Sequence, residues 1–119
     1  MEKIFPLSGR GNEIFYEVVS NIRNVKWGST KFNLSDSVID DILENFFLET
    51  NKWYPLGADE VNPMLRGLGR YLELKYRKEL TPRHASAIAA IMYHEGFIEH
   101  KNKKPILLKK VEREKSIIR

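Results

Sequence analysis

The chain has 119 residues, 42% of them hydrophobic, so it has the length of one domain and enough apolar side chains for a core. It contains no cysteine, which excludes disulfides and thiolate metal sites. The net charge of +4 is unevenly spread: residues 1–60 hold 6 Lys/Arg and 10 Asp/Glu, whereas residues 61–119 hold 14 and 6. A basic half joined to an acidic half indicates one face for a polyanion, although many proteins are lopsided by chance.

The N-terminal segment lacks the apolar stretch of a signal peptide, and no run approaches the roughly 18 apolar residues of a membrane span. We therefore expect a cytoplasmic protein without a membrane-spanning segment. Residues 1–119 are predicted to form a single domain. It would consist of an N-terminal extension with one helix (1–35), a core (36–110) and a charged tail (111–119).

Apolar side chains recur at helical spacing over residues 12–24, namely at Ile14, Phe15, Val18, Val19 and Ile22. This pattern predicts a helix, preceded by an extended lead over residues 1–10. The following residues 25–33, which include Gly28, are predicted to form a loop or a short irregular strand.

A second helix is predicted to begin after a cap at Ser35 or Asp36. Its apolar positions lie on one side, whereas Asp40, Asp41 and Glu44 lie on the other, where they would repel phosphate. A solvated acidic face is the simpler interpretation. A divalent-metal site of the nuclease type is the alternative, but no basic residue lies nearby in sequence to complete it.

Beyond Phe46, which belongs to the apolar side of this helix, four more large apolar residues follow: Phe47, Leu48, Trp53 and Tyr54. They supply more apolar bulk than one helix face needs, so they belong either to the core or to a dimer or partner surface. Residues 53–56 are predicted to form a short strand, which Pro55 confines to the edge of a sheet.

A third helix is predicted over about residues 61–78, starting at Asp59 or Asn62. Gly67 and Gly69 are unfavourable inside a helix, so they indicate either a close approach by another backbone or a break in the helix. A polar stripe on this helix is either a solvated set of ion pairs or a set of phosphate contacts. Its members are Arg66, Arg70, Glu73 and Arg77.

The fourth predicted helix covers residues 82–95. Thr81 can cap it with its hydroxyl, Pro82 suits the first helical position, and Gly96 suits the positive φ just past its end. Ala85, Ile88, Ile91 and Met92 form its inner side. The outer side is small and mildly polar, and consists of Arg83, Ser86, Ala87, Ala90 and His94.

A helix face of this kind can approach base edges in the major groove, with Arg83 and Ser86 near its N-terminal end. The alternative is an ordinary helix, because alanine is simply the best helix former. A basic hairpin is predicted next, with strands that begin at Phe97-Ile98 and at Ile106-Leu107-Leu108. Its lysines either contact phosphate or protect an exposed strand edge from aggregation.

The order of short strand, helix, turn, helix and lysine-rich hairpin over residues 53–110 resembles a winged helix-turn-helix domain. The resemblance depends on Thr81-Pro82, the inner side of the fourth helix, Gly96-Phe97-Ile98 and the hairpin. It implies a mainly α (α+β) fold class: a winged helix-turn-helix with an extra N-terminal helix and a C-terminal β-hairpin wing. Many such domains place a helix in the major groove, while others bind only protein.

We therefore predict a DNA-binding protein of the winged-helix type, a small transcriptional regulator or mobile-element accessory protein that inserts helix 82–95 in the major groove. The alternative is a winged-helix protein-protein interaction module without DNA binding. We expect no enzymatic activity, cofactor or metal: the histidines lack metal-ligand spacing, Gly67-Leu68-Gly69 is not a phosphate loop, and a nuclease is only a minor possibility.

The expected partner is double-stranded DNA, bound by a homodimer that forms through the N-terminal helix or through the Phe47/Trp53/Tyr54 cluster. The predicted DNA-binding residues are Thr81, Arg83, Ser86, Ala87, Ala90, His94, Arg66, Arg70, Arg77, Lys101, Lys103, Lys104 and Lys109.

Overall fold

The computed structural model describes residues 1–59, 64–102 and 104–112. Its N-terminal part is an antiparallel sheet of four strands in chain order. Two tight turns connect the last three strands: Val19 pairs with Ile22, and Trp27 pairs with Thr30. The strands are β1 (Glu2–Ile4), β2 (Ile14–Val19), β3 (Ile22–Trp27) and β4 (Thr30–Ser35).

The helix predicted over residues 12–24 is therefore wrong, because this segment forms β2, a turn and the start of β3. Ile14 and Tyr16 are buried while Glu17 is exposed, which is the period of two that a half-buried strand requires. Val18 and Val19 add β-branched side chains, which favour strands. Ser20, in the turn between β2 and β3, adopts a φ of +58°. A tight hairpin turn requires such a positive φ, and a continuous helix does not allow it.

The second helix begins where it was predicted. Helix α1 (Asp36–Asp41) is capped by Ser35, whose hydroxyl accepts a hydrogen bond from the Val38 N–H, and it continues as a π-helical turn (Ile42–Phe46). The short strand at the aromatic segment is also confirmed: β5 (Trp53–Pro55) pairs with a later strand.

The third helix, α2 (Leu68–Lys75), is shorter than predicted. It begins only after Gly67, because the chain around Gly57 packs directly against its first turn. The Gly69 N–H donates to the Leu56 carbonyl at 3.0 Å, and a Cβ on Gly67 would lie 3.0 Å from the Gly57 Cα. Asp59 is not helical, and the proposed start at Asn62 lies outside the described residues.

The fourth helix and the hairpin are confirmed. Helix α3 (His84–His94) ends before Gly96, which has a φ of +85°. Strands β6 (Ile98–Lys101) and β7 (Leu107–Lys110) then pair antiparallel, and β7 also pairs with β5, so the second sheet has the order β5-β7-β6.

The predicted fold class is nevertheless wrong. The described residues form seven strands in two antiparallel sheets with three helices, which is a strand-rich α+β protein and not a mainly α winged helix-turn-helix. The N-terminal extension is a sheet instead of a helix, and it packs on α3. One buried cluster includes Tyr16 and Val25 from the first sheet, Ile88 and Met92 from α3, and Leu108 from the second sheet.

A buried ion network fastens the first sheet to the end of α3. Arg23 on β3 is only 6% exposed, and its guanidinium donates to Glu95 at 2.9 and 2.7 Å and to Asp36 at 2.6 Å. The Tyr16 hydroxyl donates to Glu95 at 2.8 Å. Burial raises the pKa of Glu95, but the hydrogen bonds from Arg23 and Tyr16 outweigh it and lower that pKa overall.

No helix among residues 1–59, 64–102 and 104–112 has both the length and the apolarity to cross a bilayer.

Candidate nucleic-acid interface

The outer face of α3, which was predicted to enter the major groove, is covered. Ala87 is fully buried and Ala90 is 2% exposed, so the prediction that these two residues contact bases is wrong. The reason is tertiary: β1 contacts α3, and Phe32 on β4 packs edge-to-face on His84 at the first turn of α3, with ring centroids 4.8 Å apart. A helix between two sheets has no face wide enough to approach base edges.

The two ends of α3 remain accessible. Arg83 is exposed at the N-terminal end, where its guanidinium lies 5.3 Å from the centre of the Trp27 ring, and Ser86 is partly exposed one turn on. His94 is exposed at the other end, with its Nε2 atom 3.2 Å from Glu2 on β1. Of the residues predicted on this outer face, only Arg83 and Ser86 are both accessible and close together, since they line one depression.

Thr81 was predicted to cap the helix and to contact DNA, but in the structure it holds the His84 ring. Its backbone N–H donates to His84 Nδ1 at 3.0 Å, and its hydroxyl lies 3.1 Å from the same nitrogen. Thr81 thus orients His84 beneath the first sheet, and its hydroxyl is not free for a phosphate.

The accessible N-terminal end of α3 shares a depression with the loop after β1. This depression, of about 210 Å³, is lined by Arg10, Arg83 and Ser86, with Trp27 at its side. A neighbouring depression of about 420 Å³ is lined by Arg10, Asn102 and Lys104. Arg10 and Ser8 belong to both depressions, so Arg10, Arg83 and Lys104 lie along one continuous surface, which we call the basic strip.

Short hydrogen bonds hold the middle of the basic strip in place. The Arg10 N–H donates to the Ser8 hydroxyl at 3.1 Å, and the Gly9 N–H donates to the Pro6 carbonyl at 2.9 Å. The Asn102 side chain donates to the Leu7 carbonyl at 2.8 Å, which ties the β6–β7 hairpin to this loop. The loop is therefore built to present Arg10 between the other two cations.

None of the three strip cations takes part in an ion pair within the part of the chain that the structure describes. Unpaired, exposed cations that converge from three segments form a local positive field. Arg10 was missed from the sequence, where the only signal was its position between two glycines in a turn-rich lead.

The other predicted cations do not join the basic strip. Arg66 and Arg70 line an apolar groove beside β5, and Arg70 is paired with Glu73 at 2.9 Å. Arg77 lines a separate small depression together with Thr81. The three arginines therefore do not form one face, although each could still meet a phosphate.

The remaining lysines of the hairpin have a different environment. Lys101 and Lys109 lie with their ammonium groups 4.3 and 4.9 Å from the centre of the Trp53 ring, on the second sheet. Lys109 also lies 3.7 Å from Glu99. Lys103, which was predicted to contact DNA, lies outside the described residues.

Of the three acidic residues predicted to form a solvated face, Asp40 and Glu44 are exposed as predicted, whereas Asp41 is not free. The Asp41 carboxylate accepts hydrogen bonds from Asn45 and Lys75 on one oxygen, and from Tyr71 and Tyr76 on the other, at 2.6–2.8 Å. These four bonds use the acceptor positions of the carboxylate. Asp41 is thus a structural junction, and no group of three or more metal-ligating side chains occurs among the described residues.

Only part of the predicted dimer surface is available in the structure. No helix exists over residues 12–24, so that element cannot supply a contact. Phe47 is fully buried against Tyr54 and Phe46, whereas Trp53 and Tyr54 are half-buried. Of the aromatic cluster, only Trp53 and Tyr54 are reachable by a partner.

Comparison of the chain with protein families, with curated proteins and with solved structures finds no match.

Proposed function

We propose that this protein binds double-stranded DNA through the phosphates, with the basic strip of Arg10, Arg83 and Lys104 as the contact surface. The observation that carries the proposal is the convergence on two adjoining depressions of three exposed cations that have no ion pair among the described residues. Phosphate contacts of this kind position a protein on a duplex and supply most of its salt-dependent affinity. Because Ala87 and Ala90 are buried, Arg83 and Ser86 are the side chains near the N-terminal end of α3 that a duplex could still contact.

In this proposal the protein is a small regulator or an accessory protein of a mobile element, and it is not an enzyme. It acts in the cytoplasm, where such a protein meets plasmid or phage DNA. A homodimer is part of the proposal, because a protein this small reads two half-sites only as a pair. Sedimentation of the protein with a duplex measures that stoichiometry.

The test is the affinity for a duplex of about 20 base pairs of random sequence at several salt concentrations. Three phosphate contacts per protomer predict that log affinity falls against log salt with a slope of about −2.7 for one bound protomer and about −5.4 for a bound homodimer. For one bound protomer the affinity is then expected to fall about 40-fold between roughly 50 and 200 mM salt. Arg10→Gln, Arg83→Gln and Lys104→Gln are each expected to reduce the magnitude of the slope by about 1 for each bound protomer.

Lys26→Gln is the matched control. Lys26 is exposed on the face of the first sheet that points away from α3, so its removal is expected to leave the slope unchanged. No binding at low salt, or equal effects of Lys26→Gln and Lys104→Gln, would contradict the proposal. A change in sequence preference with Arg83→Gln would instead show that Arg83 contacts a base.

A further inference from the structure

A second surface is an apolar groove between the π-helical turn, β5 and α2. None of its lining residues belongs to the basic strip. Three leucines stand around it with unusually high exposure: Leu48 at 71%, Leu65 at 80% and Leu74 at 64%. Single exposed leucines are common on protein surfaces, but several around one depression of about 430 Å³ are typical of a binding surface. We call this feature the leucine groove.

The floor of the leucine groove is preformed. Phe46 packs against Tyr54 and Tyr71 with ring centroids 5.2 and 5.5 Å apart, and Phe46 itself is only 8% exposed. The Tyr71 hydroxyl is fixed by its hydrogen bond to Asp41 at 2.8 Å. A rigid aromatic floor lowers the entropy lost when a partner side chain inserts.

The rim of the leucine groove is basic. Lys52, Arg66 and Arg70 line it, with Lys52 at 3.8 Å from Glu49 and Arg70 paired with Glu73 at 2.9 Å. Arg66 has no ion pair within residues 1–59, 64–102 and 104–112. Trp53 extends the groove toward two more ammonium groups on the second sheet. A partner that fills the groove therefore meets Arg66, the rim cation that no carboxylate among the described residues neutralises.

The shape of the neighbouring strand decides how a peptide can bind. β5 is three residues long and includes Pro55, which has no backbone N–H, so it offers little to a strand added at its edge. An amphipathic helix needs no backbone partner, because it inserts apolar side chains spaced by three and four residues into such a groove.

We propose that the leucine groove binds an acidic amphipathic helix of a partner protein. Leucine or aromatic side chains of that helix pack on Leu65, Leu74 and Tyr71, and its carboxylates face Arg66 and Lys52. The groove and the basic strip share no residue, so the protein can hold this partner and a duplex at the same time.

The experiment is a display selection of random peptides of about 16 residues, long enough for a helix of about 24 Å, on the full-length protein. The enriched peptides are expected to be acidic, with apolar residues at helical spacing. Leu65→Asn and Arg66→Glu are each expected to weaken the best peptide at least about tenfold, because the first removes an apolar contact and the second replaces an attractive charge with a repulsive one.

Val18→Asn and Arg77→Glu are the matched controls: Val18 is 54% exposed at the tip of the β2–β3 hairpin, and Arg77 lies outside the groove. They are expected to keep the wild-type peptide affinity. Enrichment of basic or uncharged peptides, peptides indifferent to Leu65→Asn, or no enrichment at all would overturn the proposal.

Two further measurements separate this site from other occupants and from the DNA surface. If the protein sediments as a dimer that Leu65→Asn dissociates, a second copy covers the groove and the acidic-helix proposal is overturned. Duplex affinity is expected to be unchanged in Leu65→Asn, and peptide affinity unchanged in Arg10→Gln. A peptide that Arg10→Gln releases would mean that it occupies the basic strip, which also overturns the proposal.

Discussion

At the scale of single residues, three glycines let the loop after β5 lie against the start of α2. Gly57 has a φ of +56°. Gly69 lies in the first turn of α2, directly against the carbonyl group of Gly57. A Cβ on Gly69 would overlap the Gly57 carbonyl oxygen and would also lie 3.1 Å from the Pro82 Cβ. Gly69 is therefore required by a close approach of two backbones, the first of the two explanations that the sequence left open.

Gly69→Ala is expected to destabilise the protein by about 1–3 kcal/mol, even though alanine favours a helix, because the backbone has no room for the methyl group. Urea unfolding measures the difference. Leu74→Ala is the control in the same helix: this side chain is 64% exposed, so the change is expected to stay within about 0.5 kcal/mol. A neutral or stabilising Gly69→Ala would show that the two backbones are further apart.

At the scale of elements, Asp41 joins α1 and its π-helical turn to α2. Burial raises the pKa of the Asp41 carboxyl, but hydrogen bonds from Lys75, Tyr76, Asn45 and Tyr71 outweigh burial and hold that pKa well below its ordinary range. The contact with Asp41 also shifts the pKa of the Tyr76 hydroxyl. Burial is the larger cause and the hydrogen bond to Asp41 the smaller, and together they raise the pKa of Tyr76 to about 12. Two helical elements are thus connected through one ionised carboxylate.

Asp41→Asn is expected to lower the free energy of unfolding by about 1–3 kcal/mol at neutral pH, because the amide cannot accept four hydrogen bonds. The folded-state pKa of Asp41 is lowered, so its contribution is present above the unfolded-state value of about 4 and is lost as the pH falls through the folded-state value. The difference between wild type and Asp41→Asn is expected to be constant from neutral pH to about 5 and to shrink below about 4.

Urea unfolding over a series of pH values measures this difference. Asp40→Asn is the neighbouring control, since Asp40 is exposed and is expected to change stability by less than about 0.5 kcal/mol at every pH. A wild-type to Asp41→Asn difference that grows on acidification would contradict the assignment.

At the scale of the whole molecule, α3 is a central helix and not a recognition helix at the surface. Its residues Ala85, Ala87, Ala89 and Ala90 are small, which lets two sheets and α2 approach it closely. The buried network of Arg23 and Glu95 fixes the first sheet over its C-terminal end. Ala87 and Ala90, which the sequence placed on a face suited to a DNA groove, instead allow the helix to be enclosed.

Ala90→Leu is expected to destabilise the protein by about 1–3 kcal/mol, because extra methylenes cannot fit where the side chain is 2% exposed. Tyr93→Leu, at a position 47% exposed in the same helix, is the control and is expected to have a much smaller effect. Thermal or urea unfolding measures both. Equal, small effects of the two substitutions would mean that the face at Ala90 is open, as the sequence first suggested.

The sequence by itself determined the features that depend on neighbouring residues: the Ser35 cap of α1, the short edge strand at Pro55, α3 with its terminating Gly96, and the β6–β7 hairpin. Caps, glycines and proline act through local backbone geometry, so one sequence reveals them. The apolar spacing over residues 12–24 fits both a helix and a hairpin, and only pairing with β1 and β4 selected the hairpin.

Only the tertiary structure decided that the first sheet covers α3 and that Arg10, Arg83 and Lys104 lie along one surface. These cations come from three segments far apart in the chain, and no local pattern encodes which of them meet. Burial is a property of two surfaces together, so the alanines of one helix could not reveal that a sheet closes over them.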